Sequence, residues 1–93
     1  MHSEIWKKKL KPFLIKFPQS VVKEAEMYTP NDGIPLKLMF EGHLHIEGQS
    51  GDLLLNLGDP DILTLTIRSK NRAIRVAWDK MIAFELSTHA LWH

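Results

Sequence analysis

The sequence predicts an α+β fold. An N-terminal helical segment, residues 1–28, is followed by a five-stranded antiparallel sheet, residues 36–87, that is strongly bent or closed into a small barrel. Apolar residues recur at helical spacing near the start of the chain, and the apolar period changes to two after a segment rich in Pro, Asn, Asp and Gly. A length of 93 residues accommodates a single domain, with residues 88–93 as a tail.

The helical segment is predicted by a capping residue and an apolar stripe. Ser3 can cap a helix N-terminus, and the stripe at helical spacing comprises Trp6, Leu10, Phe13, Leu14 and Phe17. Because Pro12 interrupts this stripe, we expect a kink or two short helices. A second helix is expected after Pro18, with Ser20 as its cap. The segment TPNDGIP, residues 29–35, ends the helical region.

The strands are predicted by alternating apolar residues separated by turn sequences. The first strand covers residues 36–47 and bends at Gly42. The turns GQSG and GDPD follow, and SKNR, residues 69–72, is expected to form a hairpin tip in which Asn71 takes a left-handed conformation. We expect the following residues to face the core: Leu53, Leu55, Leu57, Leu63, Leu65, Ile67, Ile74, Val76, Trp78, Ile82, Phe84 and Leu86.

A turn is also expected at WDKM, residues 78–81. One continuous strand from Ile74 to Leu86 would bury the Lys80 ammonium without a partner, which costs several kcal/mol. The resulting element order is a helix, then bent strands, then a one-turn twist before the last strand. This order over residues 3–87 resembles that of the SH3-like and Sm-like small barrels. The resemblance implies a small barrel, an architecture that often binds nucleic acid.

The composition is that of an ordinary soluble protein, with 44% hydrophobic and 25% charged residues. Cysteine is absent, which excludes disulfides and thiolate metal sites. The N-terminal stretch has too many lysines and too short an apolar run for a signal peptide, and no apolar run reaches the ~20 residues that span a membrane. We therefore expect a cytoplasmic protein.

Charge is distributed unevenly although the net charge is only +1. Residues 1–16 and residues 68–75 are basic, and the segment between them is acidic. Such basic islands can bind a phosphate backbone. The candidate anion-binding or nucleic-acid-binding residues are Arg68, Lys70, Arg72, Arg75, Lys7, Lys8 and Lys11.

The stretch FEGHLHIEG, residues 40–48, raises a metal-site hypothesis. Alternation places Glu41, His43, His45 and Glu47 on one strand face, where two imidazoles and a carboxylate could bind zinc or iron. The opposite face is continuously apolar, so the polar row is better explained as the solvated face of an antiparallel sheet. We therefore predict no cofactor, with His43 and His45 as the candidate ligands if a metal binds.

The functional prediction is a non-enzymatic binding module that acts through protein–protein contacts, as a homo-oligomer with a regulatory role. The N-terminal helix either covers the open end of the barrel or binds a membrane surface or partner groove, and we favour the cover. The candidate interface residues are Trp6, Leu91 and Trp92. The alternative function is RNA or DNA binding through residues 68–75 and the lysine-rich helix.

Overall fold

The computed structural model describes residues 2–17, 26–31, 33, 35–86 and 91–92 of the chain. It confirms the α+β class. One helix, α1, is followed by nine strands, which the described residues form in this order: α1 (His2–Leu10), β1 (Leu14–Lys16), β2 (Met27–Pro30), β3 (Leu36–Phe40), β4 (Leu44–Gly48), β5 (Leu53–Asn56), β6 (Ile62–Ile67), β7 (Arg72–Ala77), β8 (Met81–Leu86) and β9 (Leu91–Trp92).

The strands form two antiparallel sheets rather than the expected single five-stranded sheet. The order in the first sheet is β1-β2-β5-β6-β7. The second sheet has the order β4-β3-β8, to which the two-residue strand β9 adds at Phe84 and Glu85. The expected tail therefore contributes main-chain pairing at Leu91 and Trp92. The two sheets do not close into a barrel in the described part of the chain.

Helix α1 ends near Pro12, as the sequence predicts. A short 3₁₀ turn, Lys11–Phe13, follows the helix, because proline cannot donate the hydrogen bond that would continue it. The expected cap at Ser3 is wrong. The helix already includes His2, and the buried Ser3 Oγ has no hydrogen-bond partner in the structure.

The prediction of helix as far as residue 28 is wrong beyond this point. Leu14 pairs with Pro30, and Lys16 pairs with Tyr28, in the antiparallel ladder of β1 and β2. The apolar residues after Pro12 also fit a period of two, since Leu14 is buried and Ile15 is exposed. The prediction that the whole segment TPNDGIP is a break between elements is also wrong, because its first two residues belong to β2. The second helix expected at residues 18–25 lies outside the described residues.

The stretch with the two histidines is a hairpin rather than one bent strand. β3 and β4 pair from Leu36 opposite Gly48 to Phe40 opposite Leu44, which leaves residues 41–43 as the turn. Gly42 and His43 both have positive φ, of 83° and 62°. A left-handed glycine reverses the chain without steric cost, so Gly42 makes a turn where a bend was expected.

The 3₁₀ turn Trp78–Lys80 confirms the turn expected at WDKM, and Lys80 is exposed. Ile82, however, is 54% exposed instead of facing the core. Met39 pairs with Ala83 and Phe40 pairs with Met81, so Ile82 is the extra residue of a β-bulge. The bulge shifts the alternation and turns this side chain outward.

Helix α1 packs on the second sheet and contributes to the core. The Trp6 ring meets the Phe84 ring edge-on, with centroids 6.3 Å apart, and the Phe13 ring lies 5.9 Å from the same ring. The helix thus covers apolar side chains of the second sheet, and the predicted cover of a barrel end stays a prediction because the two sheets form no closed barrel in the described residues. The core residues come from α1, from the turn before β8 and from both sheets: Trp6, Leu10, Leu36, Leu38, Phe40, Leu53, Leu55, Leu63, Leu65, Trp78 and Phe84.

Trp6 is therefore a core residue and not an interface residue, since only 8% of it is exposed. We predict that Trp6→Ala lowers the free energy of unfolding by about 3–5 kcal/mol, because it removes a large buried ring. Ile5→Ala on the same helix is the control. Ile5 is 53% exposed, and its replacement should change stability by no more than about 0.5 kcal/mol. Urea denaturation measures both, and unchanged stability of Trp6→Ala contradicts the core assignment.

Candidate functional site

Strand β7 ends the first sheet and leaves one side of its main chain without a strand partner among the described residues. Along a strand of an antiparallel ladder, the main-chain N–H and C=O groups of one residue bond the neighbouring strand, and those of the next residue point away from it. Trp78 N–H donates to the Asp61 carbonyl at 3.0 Å, which identifies a hydrogen-bonded pair. The even-numbered residues of β7 therefore bond β6. The odd-numbered residues direct N–H and C=O toward the free edge: Ala73, Arg75 and Ala77.

The two faces of β7 differ in chemistry. Ile74 and Val76 are half-buried and pack against the hydrophobic core. Ala73 and Arg75 are exposed on the opposite face, where they pair with Thr66 and Thr64 of β6. The edge of β7 thus combines main-chain groups without a partner among the described strands, the apolar side chains of Ile74 and Val76 on the core side, and the Arg75 guanidinium on the opposite face.

The hairpin tip next to β7 is fixed by local contacts. Asn71 has a φ of 49°, so the predicted left-handed residue is confirmed. Ser69 donates from its N–H to Asp52 Oδ1 at 2.7 Å and from its Oγ to Asp52 Oδ2 at 2.9 Å. Arg68 donates to the Gly51 carbonyl at 3.0 Å, and its guanidinium lies 5.4 Å from the Phe17 ring centre. Arg68 therefore has a structural role.

The other three basic residues of the hairpin, Lys70, Arg72 and Arg75, are exposed. Lys70 belongs to the 3₁₀ turn at the tip, and the two arginines belong to β7. The hairpin thus presents these three cations to solvent.

The lysines of the N-terminal segment do not form one basic face. The Lys7 side chain is only 13% exposed; its Nζ lies 5.7 Å from the Trp78 ring centre and 3.8 Å from Glu4 Oε1. Lys11 lies over the Tyr28 ring, at 5.8 Å. Lys8 is exposed on α1. Lys7 therefore contacts the turn at Trp78 from α1. Because its ammonium is largely covered by these contacts, it is a poor ligand for phosphate.

Asp59 was not predicted as a functional residue, yet it lies where the two basic islands approach each other. Its Oδ1 accepts hydrogen bonds from the N–H groups of Asp61 and Ile62, at 2.7 and 2.9 Å. These two bonds hold the pKa of Asp59 below its ordinary value, and the charges of Arg75 and Lys7 lower this pKa further. The only available sequence signal was the Asp-Pro-Asp turn itself, because aspartate bonds nearby backbone groups in such turns.

The two candidate metal ligands lie at different positions of the hairpin. His43 belongs to the turn, and His45 pairs with Met39 within the ladder. Both are exposed. In the described part of the chain, no three residues among histidine, aspartate and glutamate are grouped so that they could hold a metal ion.

Strand β4 likewise has no partner on one side among the described strands, and an open hollow of about 580 Å³ lies beside it. The hollow is lined by two carboxylates and no basic side chain: Pro35, Glu47, Gly48, Gln49, Ser50 and Asp52. Gly48 is required here, because a Cβ at this residue would lie 2.5 Å from the Leu53 Cβ. Glu47 was predicted only as a neighbour of the histidines on one strand face, and the hollow could not be predicted because it depends on how residues 48–52 fold.

The predicted interface residues Leu91 and Trp92 form β9, and their side chains lie outside the described part of the structure. No helix within the described ranges is long and apolar enough to cross a membrane. Comparisons of the chain with protein-family models, curated proteins and solved structures found no match.

The lowered pKa of Asp59 predicts a pH dependence of stability. A carboxyl group whose pKa is lower in the folded than in the unfolded protein stabilises the fold above the unfolded pKa, and this contribution is lost as the pH falls through the folded value. Asp59→Asn should therefore be less stable than the unmodified protein at neutral pH and equally stable in strong acid. Thermal melting between pH 2 and pH 7 tests this, and a constant difference across the series contradicts it.

Proposed function

We propose that the protein is a non-enzymatic binding module that assembles into a homo-oligomer by pairing the free edge of β7 with a strand of another copy. One observation carries this proposal. β7 is a six-residue strand whose odd-numbered residues direct main-chain groups toward an edge that has no strand partner among the described residues. Such an edge is a template for strand addition from another chain.

The apolar border of β7 favours the same proposal. Ile74 and Val76 pack against the hydrophobic core but are only half-buried. A partner strand added at β7 would cover this border and remove more of its apolar surface from water.

A cytoplasmic location and a regulatory role are parts of the proposal. The absence of cysteine fits a reducing compartment. Regulation by assembly requires non-covalent contacts and no catalysed reaction. The β7 edge offers main-chain groups, alkyl groups and a guanidinium for such contacts.

The assembly is tested by Ala73→Pro. Proline removes the Ala73 N–H that faces the free edge, while the bonds from β7 to β6 stay intact. We expect the dissociation constant of the oligomer to rise about tenfold or more, because a lost edge bond and the proline ring both obstruct pairing. Ala77→Pro is a second variant that should fold, since Ala77 has a φ of −66°. Sedimentation velocity over a concentration series measures the association.

The matched control is Lys16→Pro on the opposite edge of the same sheet. Phe17 N–H donates to the Met27 carbonyl at 2.8 Å, so the N–H of Lys16 faces away from β2. This variant loses an edge donor of the same kind but should associate like the unmodified protein. Equal association of Ala73→Pro and Lys16→Pro overturns the assignment of β7.

Nucleic-acid binding is a second candidate, favoured by the exposure of Lys70, Arg72 and Arg75 on the fixed hairpin. Among the side chains that the structure describes, every Phe, Tyr and Trp ring is buried or half-buried, so none of these rings is an exposed platform for base stacking. This candidate function therefore consists of phosphate contacts to a duplex.

Duplex binding predicts that Arg72→Gln and Arg75→Gln each weaken affinity and reduce the salt slope by about one. Lys37→Gln is the control, because Lys37 lies between Glu47 and Glu85 on the second sheet. Fluorescence anisotropy with labelled duplex DNA and duplex RNA at several salt concentrations measures both quantities. Equal effects of all three substitutions contradict a hairpin site.

A further inference from the structure

The edge that pairs with β7 can be identified by comparing the free edges of the two sheets. Among the described residues these edges are β1, β7, β4 and β9. β1 has three residues and carries Lys16, and β9 has only two residues. Pairing β7 with its own copy would place two strands that each carry Arg72 and Arg75 side by side, and like charges on adjacent strands are destabilising. β4 has five residues and carries Glu47, so it matches β7 in length and opposes it in charge.

The free main-chain groups of β4 have the orientation that this pairing needs. Glu41 N–H donates to the Lys80 carbonyl at 2.8 Å, so the odd-numbered residues of β3 bond β8 and the even-numbered ones bond β4. Because Phe40 pairs with Leu44, the even-numbered residues of β4 bond β3. His45 and Glu47 are left with their N–H and C=O directed toward the free edge, and both side chains are exposed.

An antiparallel register that places Arg75 opposite Glu47 satisfies both edges. Arg75 and Glu47 each direct main-chain groups outward along the edge, and each has its side chain on the solvent face. The next pair brings Val76 opposite Ile46, both on the core side of their sheets. The solvent face of the first sheet would thus continue into the solvent face of the second sheet, and the apolar side chains of Val76 and Ile46 would contact each other.

The pairing ends where β4 ends. Ile74 opposite Gly48 is the last pair in this register, because the chain turns after Gly48. Glu47 lines the hollow beside β4, so Arg75 reaches the hollow at this residue. Asp52, the other carboxylate of the hollow, already accepts two hydrogen bonds from Ser69 of its own hairpin tip.

We propose that β7 of one copy pairs antiparallel with β4 of a second copy, with Arg75 opposite Glu47. This inference rests on the proposed assembly through β7 and names its partner surface. Because β7 and β4 are different surfaces, the contact is head-to-tail, and repetition gives a ring or a filament.

A charge exchange between the two strands tests the pairing. Glu47→Arg and Arg75→Glu are each expected to raise the dissociation constant about tenfold or more, because each places like charges opposite one another. Mixing the two variants in equal amounts restores opposite charges at every contact, as does the double variant, and both should recover association. Sedimentation velocity measures all four samples, and circular dichroism checks that each variant is folded.

Each other outcome is decisive. If Glu47→Arg associates normally while Ala73→Pro does not, β7 is an interface but β4 is not its partner, and this inference fails alone. If Arg75→Glu associates as tightly as the unmodified protein, Arg75 does not lie opposite an acidic residue and the inference again fails. If the unmodified protein is a monomer at every concentration, the inference and the proposed assembly both fail.

Discussion

The position of Trp78 is the constraint on which the rest of the structure depends. Here the chain leaves the first sheet and enters the second, and the Trp78 side chain is buried with 1% of its surface exposed. Its backbone N–H bonds the Asp61 carbonyl and its indole Nε1–H bonds the Asp59 carbonyl, both at 3.0 Å. The Lys7 ammonium lies over the same ring. One residue thereby joins the turn before β6, the start of β8 and helix α1, and it satisfies its own polar groups while doing so.

Charge separation is a second property that only the folded chain reveals. The basic residues of the hairpin lie at the last strand of one sheet, whereas Glu47 and Glu85 flank Lys37 on the outer face of the other sheet. In sequence, the acidic middle of the chain lies between two basic islands. In the fold, Lys7 contacts Trp78 and Glu4, whereas the other lysines of the N-terminal island are exposed. A protein with one basic and one acidic sheet border can associate with itself without an external partner of opposite charge.

The sequence was sufficient where one dominant physical rule decided the structure. Burial of Lys80 was unacceptable, which correctly located the turn at Trp78, and Asn71 was the residue at the tip that best tolerates a positive φ. It was insufficient where two periods fit the same residues, as at Leu14, or where non-local pairing decided, as with β1 and β2. Period alone also could not detect the bulge at Ile82, because an extra residue changes the face of a side chain without changing composition. The hollow beside β4 had no local signal at all.

The contact between Trp6 and Phe84 has a consequence for the time course of synthesis. These rings meet at 6.3 Å although they lie near opposite ends of the described chain. At a translation rate of about 5–20 residues per second, roughly 4–16 s separate the appearance of the first ring from that of the second. Throughout this interval the Trp6 ring lacks its native contact with Phe84. Folding of the core is therefore a late event, completed only when the strand that carries Phe84 has left the ribosomal tunnel.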